Sequence, residues 1–180
     1  NGSAMCWGKN ANGQLGNGSS GTDSSTPGNV VNLSNFRSIS TSSRKDETHT
    51  CAVLNNGSAM CWGSNSNGQL GNGSSGTDNA TPGNVINLST IRLHGISKSL
   101  PNVDNETASN TRSGETLSAG GIHTCAALNN GSAMCWGYNV NRQLGDGTTT
   151  STRSSPVNVA ELNNVKSISA GSSHSCAALD

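Results

Sequence analysis

Aromatic residues are scarce: three Trp, one Tyr and one Phe in 180 residues. Charge is scarce too, and balanced, with ten basic and ten acidic side chains. A protein that grips nucleic acid through its phosphates needs a strongly basic surface. No nucleic-acid partner is therefore expected. No apolar run approaches the ~20 residues of a membrane-spanning helix, so no membrane insertion is expected. No signal peptide is visible, although residue 1 falls inside a repeat and an upstream segment is compatible with that. No stretch keeps a helical period. Large aliphatic residues are few, but the net charge of zero does not complete the signature of disorder. What is abundant is Gly, Ser, Asn and Thr, which suits short strands joined by tight turns.

The chain repeats itself. "HTCAVLNNGSAMCWG" at 49–63 returns as "HTCAALNNGSAMCWG" at 123–137. The chain opens with the second half of that phrase, "NGSAMCWG", and closes on the first half, "HSCAALD". Trp7, Trp62 and Trp136 anchor three copies, the second lengthened by an insertion at 97–118. The units run over about 1–54, 55–128 and 129–180. Each yields four short strand candidates bounded by Gly, Asn or Pro. In the second they are 58–63, 84–88 and 91–97, with 49–54 from the preceding connector. Four short strands per repeat is the pattern of a β-propeller blade, so the fold class is all-β with four-stranded antiparallel blades.

A three-residue turn over Asn55, Asn56 and Gly57, with Gly57 left-handed, sets the hairpin register. Leu54 then faces Ser58, and Cys51 faces Cys61. The same register places Cys125 opposite Cys135. Directly opposed Cβ atoms lie about 4.5–5.5 Å apart, near disulfide distance. Three readings compete: disulfides, free buried thiols, or a metal held by His49, Cys51 and Cys61. The last is one ligand short of a closed structural zinc site. Cys6 and Cys176 hold the two halves of the same pair at opposite ends of the chain, and are candidates for a bond between copies. A disulfide framework implies a location outside the cytosol, secreted or at the cell surface.

"HTCAALNNGSAMCWGYNVNRQLGDG" resembles the regulator of chromosome condensation repeat. That repeat is marked by a His-Ser/Thr-x-Ala-Leu strand, a Gly turn, Trp-Gly-x-Asn and Gly-Gln-Leu-Gly. The resemblance covers nearly the whole chain apart from the insertion. It implies a seven-bladed propeller, of which about three blades are present here. Cysteines in the hairpin strands resemble those of bacterial cell-surface and secreted members. Arg142 departs from the pattern, where the other copies have Gly13 and Gly68, so an altered loop is expected there.

His49, His123 and His174 each stand beside Ser or Thr, which invites a catalytic reading. Each recurs at an equivalent position, whereas a catalytic set is normally unique. A structural hydrogen-bonding role is expected for them, and a packing role for Trp7, Trp62 and Trp136. The glycines of Gly-Gln-Leu-Gly are not followed by the lysine and helix of a phosphate loop. No catalytic residue, metal or cofactor is assigned. Asn17, Asn56, Asn72, Asn79 and Asn105 open glycosylation sequons, which a chain rich in Asn and Ser produces by composition alone.

Three units fall short of a ring, whose sizes start at about four blades. The chain is therefore expected to be part of a longer propeller or to associate with itself through its unfinished terminal blades. The expected function is a non-enzymatic protein-interaction module, with the insertion at its binding surface. The alternative, implied by the founding member of the resembled family, is guanine-nucleotide exchange on a small GTPase. The protein partner is not identifiable from the sequence.

Overall fold

The computed structural model describes residues 3–92 and 116–180. Among these the chain is all-β, with twelve strands and no helix. They are β1 (Met5–Gly8), β2 (Ser24–Asn29), β3 (Phe36–Thr41), β4 (His49–Leu54), β5 (Ala59–Gly63), β6 (Asn79–Asn84), β7 (Leu117–Ala119), β8 (His123–Ala127), β9 (Ala133–Tyr138), β10 (Thr152–Asn158), β11 (Val165–Ala170) and β12 (Ser175–Leu179). Two antiparallel sheets are complete, in the orders β3-β4-β5-β6 and β7-β8-β9-β10. Two pairs, β1-β2 and β11-β12, are half blades. β7 packs against β3, β4 and β11, so the first strands of successive sheets converge on one side, as around a propeller axis. The complete sheets straddle the repeat boundaries: each takes its inner strands from one unit and its outer strands from the next.

The hairpin turn sets the register as the sequence predicts. Gly57 has φ 84°, a conformation that costs glycine nothing. Its N–H donates to the Leu54 carbonyl at 3.0 Å, and the Leu54 N–H donates to Ser58 O at 2.8 Å. Cys51 then pairs with Cys61, and Cys125 with Cys135. Their Cα atoms lie 4.1 Å apart in each hairpin, and both pairs are disulfide-bonded.

The outermost strand differs from expectation. The apolar run 84–88 was the strand candidate, but the strand is the polar Asn79–Asn84. Val85 instead turns its side chain into the core. Pairing with β5 uses the main chain of Asn79, Gly83 and Asn84, so side-chain polarity does not oppose it. Pro27, Pro82 and Pro156 all sit in such outermost strands. An edge strand tolerates the missing donor. Of the candidate at 91–97, Ile91 forms an isolated bridge with Leu128, and residues beyond Arg92 lie outside the described residues. Most of the insertion 97–118 does so too. Its last two residues, Leu117 and Ser118, are buried in β7.

The core lies between the sheets. The Cys51/Cys61 face of the first complete sheet packs on Trp136 and Ala126 of the second. Ala4, Val30 and Leu33 of the first half blade pack on Trp62 and Ala52. Cys125, Cys135 and Leu144 pack on Val165 and Ile168 of the last half blade. Trp62 and Trp136 are fully buried. Burying a side chain of this size contributes about 3 kcal/mol or more.

Candidate protein-interaction site

The seams between blades repeat one set of polar contacts. The Gln14 carbonyl accepts from Thr50 Oγ1 at 3.0 Å and from Trp62 Nε1 at 2.9 Å. The Gln69 carbonyl accepts from Thr124 Oγ1 at 3.1 Å and from Trp136 Nε1 at 3.0 Å. The Gln143 carbonyl accepts from Ser175 Oγ at 2.8 Å. Each hydroxyl has its single proton on a main-chain oxygen. At Thr124 and Ser175 it must therefore accept from the histidine that faces it. His49 Nε2 lies 2.8 Å from Thr124 Oγ1, and His123 Nε2 lies 2.9 Å from Ser175 Oγ. The seam thus fixes the tautomer, with the proton on Nε2.

This direction decides the role of the histidines. A base that activates a hydroxyl must accept its proton. Here the ring donates instead, so neither ring is placed to take the proton of the hydroxyl it faces. Burial, with repulsion from His123 second, pushes His49 down to about 3. Burial, with repulsion from His174 second, pushes His123 down to about 4. Both rings are neutral at ordinary pH. The ligand set weighed for a metal is engaged otherwise, because Cys51 and Cys61 are bonded to each other.

Four residues sit differently from their equivalents in the complete blades. Trp7 is 62% exposed, and His174 is exposed. Cys6 and Cys176 are free thiols, not disulfide partners within the chain. The reason is shared. Each belongs to a two-stranded sheet, and among the described residues the strand or sheet that covers its equivalent in the complete blades does not stand beside it.

The Gly-Gln-Leu-Gly motif proves to be a seat for the next indole. A Cβ on Gly16 would lie 2.6 Å from Trp62 Nε1, and one on Gly71 would lie 2.7 Å from Trp136 Nε1. Arg142, expected to alter its loop, does not. It takes φ 61°, close to the 75° of Gly68. Its N–H donates to Asn139 O at 2.8 Å, as that of Gly68 donates to Asn65 O at 3.1 Å. Glycine is needed in the first two copies because a Cβ there would meet the next blade: Ala80 Cα at 2.6 Å from Gly13, and Ser154 Cα at 2.6 Å from Gly68. Among the described residues, no outer strand stands against Arg142.

These loops are braced from within. Asn10 Oδ1 accepts from the Leu15 N–H, Asn65 Oδ1 from Leu70 and Asn139 Oδ1 from Leu144. Such bracing holds the long loops on a rigid frame. Loops 9–23, 64–78 and 139–151 share one end of the blades with connector 42–48. On that connector Arg44 pairs with Glu47, and Lys9 reaches Asp46. The hairpin turns occupy the other end. There the described residues break off at Arg92, whose guanidinium clamps Asp180 and the Val165 carbonyl.

Twisted four-stranded sheets, stacked face to face by a repeated seam, define a β-propeller built of sequence repeats. The family model for the Regulator of chromosome condensation (RCC1) repeat matches residues 1–53 and 130–178, and a second model of that description matches 47–69 and 116–143. The chain belongs to that family. It is similar to the human (Homo sapiens) probable E3 ubiquitin-protein ligase HERC6, at 30% identity over 177 residues, 96% of this chain and 15% of that protein. Among solved structures it is similar to Prp20p from Saccharomyces cerevisiae, described with its binding to Gsp1p and histones. The TM-score is 0.73 at 18% identity, over 97% of this chain and 39% of that one. The same yeast protein bound to Kap60 gives 0.74 at 17% identity, over 96% and 37%. This chain therefore spans well under half the length of each.

Proposed function

We propose that the chain is a non-enzymatic protein-interaction module of a secreted or cell-surface propeller. The observation that carries this reading is the direction of the seam hydrogen bonds. The two His–hydroxyl pairs that most resemble catalytic groups are consumed in joining blades, while the braced loops project from a rigid frame. Rigid frames with projecting loops are where binding is placed. Two hairpin disulfides support an oxidising compartment. Family membership supports protein partners, since the yeast relative is described with Gsp1p, histones and Kap60.

The test is capture on the immobilised chain beside a variant with Arg44, Lys45, Asp46 and Glu47 all changed to Ala. A partner retained by the parent and lost by an equally stable variant supports the reading. Guanine-nucleotide exchange is the second reading, favoured by the family. It is measured as release of a fluorescent guanine nucleotide from a panel of small GTPases. Catalysed release from any of them overturns the first reading in favour of the second.

A further inference from the structure

The connector between β3 and β4 is longer than its counterparts. One main-chain rung closes each connector on its histidine. The Ser42 N–H donates to His49 O at 3.0 Å, that of Gly120 to His123 O at 2.8 Å, and that of Gly171 to His174 O at 2.9 Å. Residues 121–122 and 172–173 lie inside the second and third rungs, but residues 43–48 lie inside the first. The longer connector holds Arg44 and Lys45, and no other Lys or Arg in the sequence has a basic residue beside it. We propose that the Lys45–Asp46 peptide bond is a processing site for a serine endoprotease that recognises paired basic residues, with Lys9 as its latch.

Endoproteolysis needs a segment that can leave the fold and lie extended across the enzyme. Ser43, Arg44, Lys45 and Asp46 are all exposed. Among the described residues, residues 43–47 make no hydrogen bond from main chain to main chain. The segment is fixed only at its ends, by the rung at Ser42 and His49 and by the Thr48 carbonyl, which accepts from the Ser64 N–H at 2.9 Å. Its side chains form exposed ion pairs, Arg44 with Glu47 at 3.6 Å and Lys9 with Asp46 at 3.4 Å. Such pairs hold weakly in water. Arg37, Arg153 and Lys166 are placed differently, within strands β3, β10 and β11.

One contact covers the bond itself. Lys9 Nζ donates to the Lys45 carbonyl oxygen at 2.9 Å and to the Asp46 carboxylate at 3.4 Å. The ammonium therefore straddles the bond to be cut. A serine protease must take that same carbonyl oxygen into its oxyanion hole, so Lys9 has to let go first. Removing the ammonium should raise the rate of cleavage.

In the cut, the protease serine oxygen attacks the Lys45 carbonyl carbon. The bond to the Asp46 nitrogen breaks, and that nitrogen takes a proton and leaves as an amine. Water then hydrolyses the ester, which gives the Lys45 carboxylate and restores the serine hydroxyl. The oxygen beside Lys9 gains charge in the process, so the latch becomes a clamp on the new chain end. Neither disulfide ties the two pieces, because all four bonded cysteines follow the cut. The β3–β4 pairing and the packing of Val30 and Leu33 on Ala52 and Trp62 hold them instead. Cleavage here needs no bound partner, so it holds or fails apart from the interaction role.

The experiment incubates the native, unreduced 180-residue chain with a subtilisin-like endoprotease selective for paired basic residues, beside a synthetic peptide of residues 40–50. Mass spectrometry should find one cut, giving 1–45 and 46–180. Size exclusion should elute the two pieces as one species until denaturant is added. A chain that stays intact under conditions that cut the peptide, or a first cut elsewhere, would overturn the proposal. Two variants test the named residues. Arg44→Ala should abolish cleavage. Lys9→Met should be cut severalfold faster than the parent, at an unchanged melting temperature. Cleavage that survives Arg44→Ala means the basic pair is not what is read, and an unchanged rate in Lys9→Met means there is no latch; either result counts against the proposal.

Discussion

His49 Nε2 lies 2.8 Å from the Thr124 hydroxyl, although 75 residues separate them in the chain. The bond crosses from one blade to the next, and the hydroxyl passes its own proton to Gln69 O. Thr124→Val keeps the shape but leaves the His49 N–H and the Gln69 carbonyl each short of a partner. A buried group left unsatisfied costs about 1–3 kcal/mol. Chemical denaturation should show a loss of that size, and Thr124→Ser should restore most of it. Equal midpoints for the Val variant and the parent would show that the bond contributes nothing.

The two buried rings give the fold a pH dependence with a definite sign. Free histidine titrates near 6.5, and His49 and His123 are pushed down to about 3 and 4 in the fold. Above about pH 7 neither state binds the protons, and stability is flat. Below 6.5 the unfolded chain takes up protons that the folded chain refuses, so stability falls until pH passes the folded values. Each ring costs about 1.4 kcal/mol per pH unit in that window. Denaturation at pH 7.5 and pH 5 should therefore differ by up to roughly 4 kcal/mol. Indistinguishable midpoints would mean the rings are protonated in the fold.

Position 142 and its repeat equivalent Gly68 should differ in how much an exchange between Gly and Arg costs. Gly68→Arg drives a Cβ to within 2.6 Å of Ser154 Cα on the next blade. Overpacking of this kind costs about 1–3 kcal/mol or more. Arg142→Gly in this 180-residue chain relieves no clash among the described residues and should change the melting temperature little. Similar effects at both sites would remove the packing explanation.

Replacing Cys51 and Cys61 together by Ala opens a loop of sequence separation 10. Cross-links closing loops of this size stabilise by about 2–3 kcal/mol. The double variant should lose about that much, while unreduced peptide mapping of the parent finds Cys51–Cys61 and Cys125–Cys135. Four free thiols in the parent would contradict the hairpin register.

The hairpins were legible because every determinant is local. Asn-Asn-Gly names the turn, the turn fixes the register, and the register aligns the cysteines. The outer strand was misread at 84–88 because its pairing rests on main-chain groups of a polar segment, while Val85 and Leu88 that follow it serve the core. The seams were not legible. Gln69 acts through its carbonyl, which carries no side-chain signature, and its donors lie 55 and 67 residues away. The tripled His-Ser/Thr was the sequence's trace of them, and it pointed to structure without naming the acceptor. Arg142 looked like a broken loop because a sequence does not show that its backbone takes the left-handed conformation of Gly68.

The seam ends on main-chain oxygens at Gln14, Gln69 and Gln143, and this bears on how such a chain can grow. A blade that donates to a carbonyl asks nothing of the side chain behind it. A duplicated unit carries its own indole, hydroxyl, imidazole and acceptor together, and finds the matching set on whichever neighbour it lands beside. Lengthening the array then requires no concerted change in the units already there. The Asn-Gly-Ser-Ala-Met-Cys-Trp-Gly phrase, present three times with no internal difference, is what recent copying under that freedom would leave behind.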